Sequence, residues 1–315
     1  MTALASRPPK TTAANARGAG HVLTPLAVAV PAAAGVAVTW YLFLRTTLGQ
    51  EVDTAAMDGG DVRHARMVEV LSRTLNGTTL VSLVLVCLAA AAIGLLRKRL
   101  DLALGATVMV LGANASCQLL KTHLERPDLD GTGMPNSFPS GHTTAAASVA
   151  FALIMVLPQA VRGMVTLIGA GYVTVIAVAT VWAAWHRPSD TVGALFLVLA
   201  WAALAAFVVR LVRLRTPGLP GHAGRPATLL LLVVGAVTGA AGVVGLAAVA
   251  LSERSEPDLV SGKFAFLTGS AGIAAVVAGV FLIWVRLAAG DPPAAGTVPE
   301  KAGRRVRRPK KGPKK

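Results

Sequence analysis

Three short stretches of this sequence hold residues able to do chemistry. The first is Lys121 followed by Arg126-Pro127. The second runs Asn136-Ser137-Phe138-Pro139-Ser140-Gly141-His142, and the third Trp185-His186-Arg187-Pro188-Ser189-Asp190. Lys121, Arg126 and Arg187 supply positive charge, and a guanidinium can hold a phosphate through two parallel N–H donors. Ser140-Gly141-His142 leads into an apolar run, so it reads as a helix start whose free backbone N–H groups can cradle an anion. Gly141 lets a ligand come close to the backbone. His186 and Asp190 are four residues apart, so on a helical turn they share a face and the carboxylate can hold one ring nitrogen. That orients the imidazole and leaves its other nitrogen as nucleophile or base. His142 is then free to act as a general acid. The chemistry is that of an anion site with acid–base machinery.

These stretches are positioned by apolar segments. The chain has 315 residues, 54% of them hydrophobic and only 14% charged, against about 25% charged in an ordinary soluble domain. Aromatic residues are 5%, so the apolar mass is Ala, Val, Leu and Gly. A disordered chain is excluded and a soluble globular domain does not fit. Eight apolar blocks stand out, at Pro25–Leu44, Thr78–Leu96, Leu102–Leu120, Thr143–Val161, Met164–Trp185, Thr191–Val209, Ala227–Leu251 and Phe264–Val285. Each is near the ~20 residues that a helix needs to cross a bilayer. Lipid offers no partner to backbone N–H and C=O groups, so such spans must be helices. The fold class is therefore all-α, a polytopic bundle of about eight transmembrane helices. Cys87 and Cys117 both lie in apolar blocks, which speaks against a disulfide framework or a cysteine metal site.

Basic residues set the orientation. With the N-terminus cytoplasmic, 21 of the 30 Lys and Arg residues fall on the inner side, as the positive-inside rule requires. Both termini are then cytoplasmic, in the plasma membrane, and the three chemical stretches share the outer face at one depth. The net charge of +15 is thereby a membrane signature and not one of nucleic-acid binding. The tail Gly303–Lys315 is the most basic segment; it reads as a solvated stop signal, with contact to anionic lipid headgroups as its functional reading. In the long outer connection Arg45–Gly77, the amphipathic stretch Val62–Leu75 reads as a helix lying on the surface. Charged residues are nearly absent from the middle of the last two spans, which speaks against a coupled transporter.

At these residues the sequence resembles a known family. Lys121…Arg126-Pro127, Pro139-Ser140-Gly141-His142 and His186-x-x-x-Asp190 look like the three signatures of the type 2 phosphatidic acid phosphatase (PAP2) superfamily, in its integral-membrane lipid phosphate phosphatase branch. The motifs cover Leu102–Val209, and span counting extends them to a six-helix core. Two departures stand out. Four residues separate Lys121 from Arg126 where the family usually has six. Ala179 and Thr180 occupy the places of the Ser-Arg pair that usually opens the third signature, and Arg187 is the candidate replacement for that arginine.

The resemblance implies a metal-independent phosphatase without cofactor, working through a phosphohistidine. His186 would be the nucleophile, Asp190 its orienter and His142 the acid. Lys121, Arg126, Ser140, Gly141 and Arg187 would hold the phosphate. The substrate would be a lipid phosphate or diphosphate: phosphatidate, phosphatidylglycerophosphate or a polyprenyl diphosphate. The alternatives are a non-hydrolytic lipid-phosphate binder or flippase, and a phosphotransferase to a lipid or sugar acceptor. A metal site built from His142, His186, Asp190 and His123 is opposed by the neighbouring Lys and Arg, and Ser140 lacks the Gly-x-Ser-x-Gly elbow of a nucleophile. The expected organisation is a polar tail over 1–20, the phosphatase core over 21–215, a two-span hairpin over 216–287 and a basic tail over 288–315. Oligomeric state is not legible.

Overall fold

The computed structural model of the chain describes residues 22–60, 69, 80–212, 225–255 and 259–289. Among these residues it forms nine helices and no strand. They are α1 (Leu26–Leu44), α2 (Thr47–Asp58), α3 (Leu80–Leu96), α4 (Leu100–His123), α5 (Gly141–Val156), α6 (Gln159–Trp182), α7 (Pro188–Val212), α8 (Arg225–Ser255) and α9 (Gly262–Ala289). Every apolar block of the sequence is a helix. Six of them are long and apolar enough to cross a membrane, while α3 and α5 are shorter apolar helices. The architecture is a polytopic helical bundle.

The structure differs from the sequence reading at one boundary and in one additional helix. The turn between α5 and α6 falls at Leu157-Pro158 and not after Val161, with Leu157 extended at φ −77°, ψ 154°. Proline has no N–H and clashes with a helical residue before it, so it ends α5 there. Arg162 consequently sits inside α6 and is buried. The second difference is α2, which was not anticipated. Apart from Glu69, the expected surface helix Val62–Leu75 lies outside the described residues, as do residues 1–21 and 290–315 of the terminal tails.

α7 is the central helix. It packs against α1, α4, α5 and α9, while α8 and α9 form a hairpin against one side of the core. In lipid, close packing rather than water exclusion brings helices together, which favours small residues at crossings. Gly242 of α8 shows this: a Cβ there would lie 3.1 Å from the Gly272 backbone of α9. The hairpin is keyed to the core by aromatic rings. Phe151 of α5 stacks on Trp284 of α9 at 5.3 Å and meets Phe281 edge-on at 4.9 Å. The Trp284 indole N–H donates to the Phe151 carbonyl at 3.1 Å.

At the end of the bundle where α5 and α9 terminate, arginines satisfy their last carbonyls. Arg162 donates to Met155 O, Leu157 O and Ala288 O, Arg210 to Leu287 O, and Arg97 to Val156 O. Cations there also face the negative ends of the helix dipoles. The opposite end collects the three chemical stretches. There α9 also presses on α2, so closely that a Cβ on Gly59 would fall 1.8 Å from Gly262 O.

Candidate active site

His186 is delivered by the turn that ends α6. Ala184 adopts φ +54°, its N–H bonds Val181 O, and the Trp185 N–H bonds Thr180 O. This is a Schellman cap with alanine in the left-handed position that glycine usually fills. Such a conformation costs an alanine about 1–2 kcal/mol, here immediately before His186. Pro188 then opens α7, where its missing N–H is no loss.

Asp190 stands in the third position of α7 and reaches back to the residue before the helix. Its Oδ2 accepts from the Arg187 N–H at 3.0 Å, from Ser137 Oγ at 2.5 Å and from His186 Nδ1 at 3.2 Å. A carboxylate can only accept, so the proton lies on Nδ1 and the Nε2 lone pair of a neutral His186 is available. The backbone carbonyl of Asp190 accepts from the Ser140 N–H at 2.9 Å. The second and third stretches are thus tied together through one residue.

Ser140 caps α5, its Oγ accepting from the Thr143 N–H at 3.3 Å, as a serine before a helix does. Its hydroxyl proton remains free to donate. A Cβ at Gly141 would meet only Gln118 Nε2, at 3.8 Å, so the glycine leaves open space at the head of the helix. The loop before α5 is pinned by Phe138, which is fully buried and lies over Gly193 of α7. Asn136 also holds it: its amide donates to Leu124 O at 2.8 Å and to Lys121 O at 3.3 Å. The His142 ring faces that of His186 edge-on, 6.3 Å between centroids. A phosphoryl group about 3–3.5 Å from each ring, the separation of reacting atoms in a near-attack geometry, would bridge them. Lys121 closes α4 near enough for its charge to act on His142. His123 is exposed and its Nδ1 lies 2.9 Å from Leu119 O. Among the described residues no three His, Cys, Asp or Glu side chains are grouped to hold a metal ion.

α2 forms the wall behind these groups. It buries the polar Gln50, Asp53 and Thr54 together with the apolar Val52, Ala56 and Met57. Gln50 uses both ends of its amide, donating to Leu44 O and Pro127 O and accepting from the Leu129 N–H. Asp53 accepts from the N–H and the hydroxyl of Ser189. It thereby caps α7 from outside, a task the Arg187 side chain at the head of that helix cannot perform. Burial, reinforced by the negative charge of Asp190, lifts the Asp53 carboxyl to about 7, against the pull of the Ser189 hydrogen bonds and of Arg187. One side of Asp53 borders a cavity of about 200 Å³ between α2, α7, α8 and α9, whose walls are otherwise apolar except for Ser189 and Thr268. Burial also raises the Asp58 carboxyl.

The two arginines meet at α2. Arg187 is 1% exposed. Its Nε donates to Thr54 Oγ1 at 3.2 Å, and its buried Nη2 has no hydrogen-bond partner on the protein. Arg126 donates to Asp130 Oδ2 at 3.2 Å. Burial and the like charge of Arg187 push the Arg126 guanidinium below its ordinary value, opposed by Asp53, Asp130 and Asp190. Two neighbouring guanidiniums, one with a buried unpaired N–H group, suit a doubly charged anion. Thr180, where an arginine was sought, is fully buried and turns its hydroxyl back to Ala177 O.

The structure thus brings His142, His186, Asp190, Ser140, Gly141, Lys121, Arg126 and Arg187 to one end of the bundle. Gln50, Asp53, Thr54 and Asp130 were missed. α2 carries a short apolar stripe, Leu48, Val52, Ala55 and Ala56, that packs with Val249 and Ala265, so its helical spacing was there to be read. A second local signal is Thr46, whose Oγ1 caps the helix at the Gly49 N–H.

A model of the PAP2 superfamily matches residues 20–216, more than half of the chain. No curated protein and no solved structure matches it.

Proposed function

The chain belongs to the PAP2 superfamily, whose members are phosphatases acting on phosphate esters, and from that premise we propose a membrane lipid phosphatase with a phosphohistidine intermediate. The observation that carries the reading is the facing pair of imidazoles, His142 and His186 at 6.3 Å, with Asp190 on Nδ1 of His186. His186 Nε2 attacks phosphorus in line, and the bond from phosphorus to the lipid oxygen breaks. His142 gives its proton to that oxygen. Water then attacks the phosphohistidine, His142 taking its proton, and inorganic phosphate leaves with Nε2 regenerated. Lys121, Arg126, Arg187, the Ser140 hydroxyl and the Gly141 N–H hold the equatorial oxygens. Such positioned charge supplies most of the rate in phosphoryl transfer. Arg187 takes the role of the arginine absent at Thr180, which its buried unpaired Nη2 supports.

Phosphatidate, phosphatidylglycerophosphate and polyprenyl diphosphates are the proposed substrate class, reached sideways from the bilayer. The site faces the extracytoplasmic side of the plasma membrane, with both termini cytoplasmic. No metal takes part.

The test is phosphate release by the purified protein in detergent, with excess chelator, from each of the three lipids. Release that resists chelator and falls roughly 10³-fold or more in His186→Ala is the expected outcome. Release that survives in His186→Ala, or that chelator abolishes, overturns the mechanism. Transfer of the phosphoryl group to an added lipid or sugar alcohol in place of water makes the protein a transferase.

A further inference from the structure

Thr54 lies outside the three chemical stretches, yet two of the phosphate-binding candidates are tied to it, Arg187 directly and Arg126 through Asp130. It is buried on α2, the helix that the sequence reading did not include. Its hydroxyl has one proton and must sort its partners. The Arg187 Nε–H can only donate, so at 3.2 Å Thr54 Oγ1 accepts. The Asp130 carboxyl, which burial would raise, is held at about 2 by hydrogen bonds from Thr54 and Thr132 and by the Arg126 charge. It is therefore ionised and can only accept, so the Thr54 proton points to Asp130 Oδ2 at 2.7 Å. The same Oδ2 takes Arg126 Nη2 at 3.2 Å. In the chain Arg187–Thr54–Asp130–Arg126 every donor points toward Asp130, which accepts from both sides.

We propose that Thr54 is a positioning residue for phosphate binding, its hydroxyl holding Arg187 directly and Arg126 through Asp130. The idea rests on the phosphatase reading above. Thr54 does not touch the substrate. It fixes Nε of Arg187, and so aims the Nη edge, which is the edge whose buried Nη2 lacks a protein partner. A guanidinium anchored at Nε keeps a preorganised fork for two oxygens of a phosphate. Without the anchor, the same arginine must be ordered by the substrate itself, and affinity falls.

Thr54→Val keeps the shape and removes both hydrogen bonds, whereas Thr54→Ser keeps both. Two readouts on the full-length protein in detergent decide the matter: KM and kcat for lipid phosphate hydrolysis, and the inorganic phosphate concentration that gives half-maximal thermal protection. One charge-assisted hydrogen bond lost corresponds to roughly a tenfold rise in KM and in the phosphate concentration. kcat should move far less, and Thr54→Ser should restore wild-type values. Unchanged constants in Thr54→Val overturn the proposal. So does a loss confined to kcat, or a Thr54→Ser protein as impaired as the valine variant. Should the valine variant not fold, Thr54→Ala carries the same comparison. A wild type that hydrolyses nothing, with phosphate protection still weakened tenfold in Thr54→Val, overturns the phosphatase reading and leaves this one standing. Hydrolysis with identical constants in both proteins does the reverse. A wild type that neither hydrolyses nor gains protection from phosphate overturns both.

Discussion

Asp53→Asn should stabilise the protein, and by an amount that grows with pH. Asp53 is fully buried beside Asp190 and an apolar cavity, and its carboxyl titrates near 7 instead of 3.8. Between those values the folded protein keeps a proton that the unfolded chain has released. The folded state then binds more protons, so stability falls as pH rises through this window. Above about pH 7 both states are ionised and the penalty is constant. Its size follows from the interval between 3.8 and about 7, at 1.36 kcal/mol per pH unit, which gives on the order of 4 kcal/mol. Asparagine has no such penalty. It also preserves the cap on α7, because its carbonyl accepts from the Ser189 N–H and its amide donates to Ser189 Oγ in the geometry Asp53 uses. The ionisable groups other than Asp53 are common to both proteins. Thermal unfolding in detergent, followed by tryptophan fluorescence from pH 4 to 8, should show the variant and wild type together at pH 4. The variant should then lead progressively up to about pH 7 and hold a constant lead above it. At roughly 2 °C per kcal/mol the final gap is about 8 °C. A gap that does not change with pH, or that closes as pH rises, refutes the placement of a largely protonated carboxyl behind the site.

Gly193→Ala attacks the other wall. The new Cβ would lie 2.2 Å from the ring of the fully buried Phe138, and overpacking of this kind costs about 1–3 kcal/mol. The loop that carries Ser140 must shift, so both melting temperature and phosphate release should fall, and an unchanged pair of values would show that the loop is not seated on α7. Ala184→Gly should raise stability by about 1 kcal/mol, because glycine adopts φ +54° without strain. Phosphate release should not rise with it, and a lowered melting temperature would show that the turn before His186 is unstrained.

The helical elements were legible because lipid leaves so little choice. An apolar run of that length must close its own hydrogen bonds, and eight such runs mean eight helices wherever they pack. The turn at Leu157-Pro158 was equally present in the sequence, since proline breaks a helix by local sterics, and only the length given to the preceding apolar block hid it. The pairing of His186 with Asp190 is also local: an i, i+4 spacing at a helix start places both on one face.

What the sequence could not contain is every contact between residues far apart along the chain. Thr180 marked a missing arginine, but only the fold shows Arg187 turned toward α2 and anchored on Thr54, 133 positions away in the chain. α2 is only 12 residues long, and it buries polar residues beside a short apolar stripe. Gln50, Asp53 and Thr54 are buried against carbonyls, amides and side chains of distant segments, and polar residue types give no sign of burial in a sequence. The extra hairpin α8–α9 is legible as two further spans, but its seat against α2 at Gly59 and Gly262 depends on two glycines meeting in space. Residue type and spacing therefore determined the spans and the chemical groups. Only tertiary structure decided which buried polar groups satisfy one another, because a hydrogen bond depends on distance in space and not on separation in the chain.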